Sequence, residues 1–463
     1  MININFETSD AALKRLYDCA VKKGLGNIRD FEGKRCMVEG GVYNGLWIET
    51  QPMAGEMFVP YEQEAALNNN LMFVDNIRDD GRFPSVISNR NNEVKFHFMQ
   101  FQGYCFPYHA LNLYYYLGLD REYLVRLYDA LARYDAYLWR TRDSDGDGCL
   151  ETWCVFDTGE DNSSRFFDAP HQWPGDEAPV GISRLPYESL DIMCYSYEGR
   201  NTLADIAAIL GNGLEKAWRE KAMEVKLKIR SYLWREEKAS CFDRDGNNEF
   251  MDVLYHNNIR AMYHGAFTND MARSFVKRHL LNPNEFWTPM PLPSIAANDP
   301  LYVSDKFNNW SGQPQGLTYQ RAIRALENYS FYDIVTKLGK KFTSALLKSE
   351  KDGDFSFTQQ YDTLEEIPAA YAPVNDYGPA IIAFLSYNAR MYGITVIRDR
   401  IVWGALGGIE TCFTHNWQGR EYKIECDGKN AKATIDGREV FTAASGTRVE
   451  TDIYGSCPVY YSI

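Results

Sequence analysis

One change of period divides this chain. From residue 11 to about residue 393 the apolar residues recur at i, i+3 and i+4, and after about residue 397 they alternate. Thr8-Ser9-Asp10 precedes AALKRLYDCAVKKGLG, an N-cap followed by a helical run that stops near Gly24. Further helices are expected over residues 54–80, 99–118 and 121–142 (capped by Asp120), 187–211 and 214–235, and in TNDMARSFVKRHL. Others are expected over 317–329 and 330–350, and in DYGPAIIAFLSYNARMYG. Their connections are alternately short and long. RIVWGALGG, REYKIECDGK, AKATIDGREVF and TRVETDIYG then read as strands, with DGK and DGR as hairpin turns. About ten to twelve antiparallel helices with long loops at one end predict an all-α toroid, in which inner and outer helices alternate. The expected division is a helical domain over 1–396 and a small antiparallel β-domain over 397–463. An α-solenoid would show a repeat, and none of 34 or about 40 residues is present.

Charge removes several function classes. The net charge is −14 with a pI near 5.1, which argues against nucleic acid and against an anionic membrane surface as partner. No apolar run reaches the roughly 18–20 residues of a membrane span. The N-terminus lacks a basic segment followed by an apolar one, so a cytoplasmic location is expected. The 10 Cys are scattered without a CxxC pair, which reads as reduced, buried thiols. Aromatic residues make up 14% of the chain, including 31 Tyr and 10 Trp, and rings at this density either stack on sugars or fill a large core.

Asp143 to Arg165, DSDGDGCLETWCVFDTGEDNSSR, is the stretch that carries chemistry. Gly146, Gly148 and Gly159 break regular structure, and a loop this acidic between helices is a candidate site. Asp161, flanked by Trp153 and Arg165, is a candidate acid. Burial beside a ring would keep its proton, while Arg165 is better suited to holding the loop or a substrate. Asp143, Asp145 and Asp147, with Glu151, also match a Ca²⁺ loop, but no acid falls at its twelfth position. A turn whose Asp side chains bond their own backbone is the favoured reading, so no cofactor is expected.

Several motifs then form an ordered set. GEDNSSRF resembles the G-x-D-[NF]-[SA]-x-R motif of the (α/α)6-barrel glycoside hydrolases of family 63 and of the related mannosylglycerate hydrolase-like and trehalase-like enzymes. DGDGCLETW, LDIMCYSYEGRNTLADIAAILG, NNWSGQPQGLTYQRAIRAL and QQYDTLEE…DYGPAIIAFL resemble the family's other stretches, in the same order, from about residue 40 to 395. The resemblance implies an (α/α)6 barrel and an inverting hydrolase acting on a small α-linked glucoside or related disaccharide. It implies Asp161 as general acid, and no cofactor. Tyr43, Trp47, Gln51 and Glu56 lie in a stretch resembling the family's first substrate-facing segment, and Trp310 and Gln313 lie in a second. With Trp153 and Arg165 they form the expected substrate-binding set, and Trp173 is a candidate lid residue.

The resemblance departs at one position. Where the family carries its general base, a Glu, this chain has Gln359, and an amide cannot take a proton from water. Three readings follow: Gln359 replaces a Glu, the base is Glu365 or Glu366, or the protein binds sugars without cleaving them. Asp362 and Asp376 are further candidates. Another (α/α)6 hydrolase, such as a rhamnosidase-like enzyme, is a separate alternative. A sugar epimerase of this shape would need a His pair, and the seven His form none in sequence.

Overall fold

A computed structural model describes residues 2–91, 93–182, 184–305, 310–369 and 375–463. Twelve α-helices lie among them. They are α1 (Ala11–Gly26), α2 (Gln51–Phe58), α3 (Gln63–Val74), α4 (Pro107–Leu117), α5 (Arg121–Thr141) and α6 (Leu190–Leu210). Next come α7 (Glu215–Lys228), α8 (Asn257–Tyr263), α9 (Asn269–Phe275), α10 (Gly316–Glu327), α11 (Tyr332–Lys348) and α12 (Gly378–Tyr392).

The even-numbered helices close a ring. α2 packs on α4, α4 on α6, α6 on α8, α8 on α10, α10 on α12, and α12 returns to α2. Of the odd-numbered helices, α1, α3, α5, α7 and α11 pack on these from outside. Sequence decides which helix goes where. In α12 every residue from Gly378 to Asn388 is buried, so all its faces need neighbours. α5 buries one stripe, with Leu124, Leu127, Leu131 and Leu138 inward and Arg121, Arg126 and Arg133 toward solvent, which suits an outer helix.

Ring and loops are coupled by length. The connections leaving the even helices are short, such as 118–120 after α4 and 211–214 after α6. Those entering them are long, so the N-terminal ends of the inner helices are roofed by loops.

Besides short ribbons in the connections, the strands form two larger antiparallel sheets. One holds Ile4–Thr8, Glu410–Trp417, Arg420–Asp427, Asn430–Ile435 and Arg438–Ala444 in that order. The other holds Ile394–Ile397, Arg400–Ala405, Thr447–Asp452 and Val459–Ser462. Trp403, Phe413 and Val449 are fully buried in this region. The sheets close the ring end away from the long loops: the Trp417 indole donates to the Tyr116 carbonyl of α4 at 2.8 Å.

The sequence pattern differs from the structure in four places. The N-terminal segment Ile4–Thr8 pairs with Glu410–Trp417, Phe6 opposite Phe413, so the first strand belongs to the C-terminal sheet. The helix expected over 54–80 is two helices, α2 and α3, because the chain turns at Val59–Glu62 around Pro60. The helix expected over 99–118 starts only at Pro107. Gln102 there has φ 60° and Gly103 φ 68°, which no helix tolerates. α8, seven residues long, carries too few turns to show a period.

Among the described residues no helix is long and apolar enough to cross a membrane, and none of the ten Cys is in a disulfide.

Candidate active site

The acidic loop is fixed by buried ion pairs rather than by regular structure. Asp157 is fully buried against Arg142 and accepts N–H bonds from Trp153 at 2.8 Å and Phe101 at 3.2 Å. Further along the loop, Arg165 is held by Glu160 and Asp191, each at 2.9 Å, and by Asp243. Arg260 of α8 joins the same group through Glu160 and Asp191, and His256 contacts Glu160 at 3.2 Å. Burial alone would raise the Glu160 carboxyl, but the Arg165 and Arg260 guanidiniums and His256 hold it below the usual carboxylate range. Burial, with Arg260 beside it, lowers His256 to about 4, so its imidazole is neutral. Asp243 is pushed up to about 6 by burial, against the pull of Arg165.

This platform carries the next residues into a pocket. Its walls are Glu39, Tyr43, Trp47, Glu49, Gln102, Gly159, Asp161, Trp310, Leu317, Gln359 and Tyr377. They come from the connections that enter α2, α4, α6, α10 and α12, together with the first turn of α10. The pocket therefore sits at the N-terminal ends of the inner ring. Gly159 is required where it stands: its φ is 76°, and a Cβ there would collide with the Glu49 carboxylate. Asp161 is placed by its backbone, whose carbonyl accepts from Trp310 N–H at 3.3 Å.

Three carboxyls share the pocket. Glu49 is paired with Arg321 at 2.6 Å; its burial raises the carboxyl's pKa, and Arg321 and Arg260 oppose the rise. Glu39 accepts a hydrogen bond from the Tyr377 hydroxyl at 2.9 Å. Among the described residues no cation lies within ion-pair distance of it. Burial, with Glu49 next and Asp161 after, pushes Glu39 up to about 8 even though the Tyr377 bond pulls the other way. Tyr43 donates to the Gln359 side-chain carbonyl at 3.2 Å, and its ring packs edge-on against Trp47 and Tyr377.

Of the residues that the sequence singles out, Tyr43, Trp47, Asp161, Trp310 and Gln359 meet here. The other six do not line the pocket. Gln51 opens α2, and its side-chain carbonyl accepts from Trp47 N–H at 2.9 Å. Glu56 lies at the far end of α2, 2.8 Å from His109 Nδ1, in a cavity below the ring. Trp153 is buried away from the pocket: it donates to Glu151 at 2.6 Å and stacks under Arg142, so it is not the ring beside Asp161. Arg165 holds the loop through its three carboxylates and does not reach the pocket wall. Gln313 is buried behind the wall and donates to the Asp305 carbonyl. Glu366 is held on the outer helix α11 by Lys341 at 2.7 Å and Lys348 at 3.2 Å, and the Lys341 bond keeps it ionised.

The remaining candidate acids also have structural places. Asp362 caps its own turn, Glu365 is exposed, and Asp376 pairs with Lys23 at 2.6 Å. Trp173 donates to the Glu177 carbonyl at 2.9 Å, outside the pocket.

Glu39, Glu49, Gln102, Leu317 and Tyr377 are not visible from sequence. Glu39 begins a Gly-Gly turn and Glu49 lies two residues after Trp47, in the same substrate-facing stretch, and that proximity is the only signal they give. Tyr377 is masked by its place at the start of an apolar helix.

The acidic loop also gathers a second group. Asp143, Asp145 and Asp147 bring carboxylate oxygens within 4.8 Å of one another, and so do Asp145, Glu151 and Glu188. Asp145 accepts from Asp147 N–H at 3.1 Å and Asp143 from Gly148 N–H at 3.1 Å, the backbone bonds expected of such a turn. Glu188, opposite Glu151 on a paired strand, is buried, and its Oε2 has no hydrogen-bond partner among the described residues.

A helical ring with a loop-roofed pocket of aromatic and carboxyl side chains suits a carbohydrate ligand. Residues 62–362 match the mannosylglycerate hydrolase MGH1-like glycoside hydrolase domain, and the chain belongs to that family. No curated protein sequence matches it. Among solved structures it is similar to a family 63 mannosylglycerate hydrolase from Thermus thermophilus, with TM-score 0.64 and 14% identity over 80% of this chain and 99% of that one. It is similar to neutral trehalase from Saccharomyces cerevisiae, with TM-score 0.57 and 14% identity over 77% and 73%. A sialidase aligns over 97% of this chain with TM-score 0.72 and 12% identity, and the chain spans 41% of that protein's length.

Proposed function

We propose that this chain hydrolyses a small α-linked glucoside or a related disaccharide with inversion of configuration, on an (α/α)6 toroid. The observation that carries the reading is the convergence of Asp161, two further carboxyls and the rings of Tyr43, Trp47 and Trp310 in one pocket at the loop-bearing end of the ring. Asp161 protonates the leaving oxygen. The aromatic rings hold the apolar faces of the sugar, and Glu49, held in place by Arg321, hydrogen-bonds its hydroxyls. Family membership and the likeness to mannosylglycerate hydrolase and trehalase support a disaccharide-sized substrate.

The chemistry needs no cofactor. A Ca²⁺ held by Asp143, Asp145 and Asp147 would serve the loop and not the reaction. A cytoplasmic location and a small carbohydrate as partner, with neither nucleic acid nor membrane, fit this reading.

The test is turnover of a panel of α-glucosides and α-glucosyl disaccharides, with the first-formed anomer followed by NMR. Release of the β-anomer supports the reading. Release of the α-anomer removes inversion, and sugar binding without turnover by any variant favours a non-catalytic carbohydrate-binding protein.

A further inference from the structure

Inverting hydrolysis needs two carboxyls, one to give a proton and one to receive it from water. Position 359 holds an amide, and the acids near it in sequence are committed elsewhere: Glu366 to Lys341, Asp362 to its own turn, Asp376 to Lys23. The pocket itself offers two carboxyls besides Asp161. Glu49 is bound to the buried Arg321 guanidinium, which occupies one of its carboxylate oxygens. Glu39 has no such partner among the described residues. Among the described residues, its carboxyl accepts one hydrogen bond, from the Tyr377 hydroxyl.

The backbone puts Glu39 beside the position of the missing base. Gly40 pairs with both Tyr43 and Tyr377, and the Glu39 carbonyl accepts from Gly378 N–H at 2.7 Å. Gly40 is needed for this, with φ 95° and the Asn27 side chain where a Cβ would stand. Tyr43 then reaches from the same turn to the Gln359 side chain at 3.2 Å. The 39–43 turn, Tyr377 and Gln359 form one connected piece of wall, while Asp161 arrives on the loop that precedes α6. We infer that Glu39 is the water-activating carboxylate of this enzyme, occupying from another loop the role that the residue at 359 cannot fill. Gln359 and Tyr43 orient the water or the sugar beside it. The inference rests on the hydrolase reading above.

The step balances with these groups. The water oxygen bonds to the anomeric carbon, and its proton passes to the Glu39 carboxylate. The glycosidic C–O bond breaks, and the leaving oxygen takes the Asp161 proton. Solvent then returns one proton to Asp161 and removes one from Glu39, so no other reactant is consumed. Asp161 lies close enough for its charge to raise the Glu39 carboxyl. Glu39 accepts a proton from water only when ionised, so turnover should rise as pH rises toward about 8.

The experiment compares the chain as it stands with Glu39→Gln, Gln359→Glu and the double variant, using the glucoside panel and an activated α-glucosyl fluoride. Circular dichroism and thermal melts establish that each variant is folded. The expected result is a loss of at least 100-fold in kcat for Glu39→Gln on both substrate types, since good leaving groups do not replace a base (on the order of 10²–10⁴-fold). In the double variant, the carboxylate moved to 359 restores turnover. Glu39→Asp, which keeps the charge, retains more activity than Glu39→Gln. If Glu39→Gln stays within threefold of the parent, Glu39 is not the base and the hydrolase reading stands. If neither the parent nor Gln359→Glu turns over any substrate, the hydrolase reading fails and this inference fails with it.

Discussion

The two ends of the helical ring differ in one buried carboxyl. Toward the end covered by the β-sheets, the inner-helix acids Glu56, Glu198 and Glu327 each have a basic partner. Glu198 pairs with Arg324 and with His264 at 2.9 Å, and Glu56 with His109 at 2.8 Å. Glu327 is shared by Arg390 at 3.3 Å and Arg448. Burial would raise Glu198 and Glu327, yet their cations hold both near 2. At the loop-bearing end, Glu39 is buried too, at 8% exposure, and its carboxyl partner among the described residues is a tyrosine hydroxyl. The inner helices thus carry carboxyls paired with cations, while the connection entering α2 carries a buried carboxyl without one among the described residues. Such a carboxyl, strongly perturbed by burial in a pocket, is where chemistry is expected.

Substitutions sharpen this contrast when activity and stability are read together. Asp161→Asn at the open end should lower kcat by about 10²–10⁴-fold while the melting temperature holds or rises, because the proton donor is lost without a cavity. Glu327→Gln at the closed end should do the reverse. It strands the Arg390 guanidinium, leaves Arg448 with Glu450 alone, and costs about 3–5 kcal/mol by chemical denaturation, with kcat of the folded fraction within twofold. If Glu327→Gln abolishes turnover in folded protein, the two ends are not separable.

Stability against pH tests the same point. A Glu near 4.3 in the unfolded chain and about 8 in the fold binds a proton on folding across that interval. Its contribution therefore becomes less favourable as pH rises from about 4.3 to about 8, and is level above. Glu39→Gln should melt with the parent near pH 4 and above it at pH 8, by about 1–3 kcal/mol. Equal melting at pH 8 would mean that Glu39 has a partner in solution.

Two smaller effects bound the comparison. Millimolar Ca²⁺ should leave the melting temperature unchanged, as the plain turn of the acidic loop expects; a rise of a few degrees that Asp145→Asn removes would make that loop a cation site. Glu366→Gln on the outer helix should change stability by under about 0.5–1 kcal/mol and activity not at all. A kinetic effect there would reopen the 365–366 pair as the base.

The legibility of the site follows the same physics. Tyr43, Trp47, Asp161, Trp310 and Gln359 can be found because each lies in a short motif whose residue types are unusual together. Glu56, Trp153, Arg165 and Gln313 come in by sharing those motifs. One or two residues along a loop are enough to turn a side chain from the pocket into the platform beneath it, and sequence spacing does not report that rotation. Glu366 is a candidate by its nearness to Gln359, but the turn capped by Asp362 carries it out to Lys341. Glu39 is hundreds of positions from Gln359, and no local pattern links them.

By itself the sequence determined the order and most of the extents of the helices, the alternation of short and long connections, and the change to strands, because these depend on periodicity, caps and turn residues within a few positions. It also marked the acidic loop and the absence of a carboxylate at 359. Only the tertiary structure decided that α12 closes the ring on α2, that the N-terminal strand joins the C-terminal sheet, and that Glu39 stands beside Gln359. Those depend on which buried surfaces and charges meet across hundreds of residues, where burial and the placement of partner charges, not local preference, set the outcome.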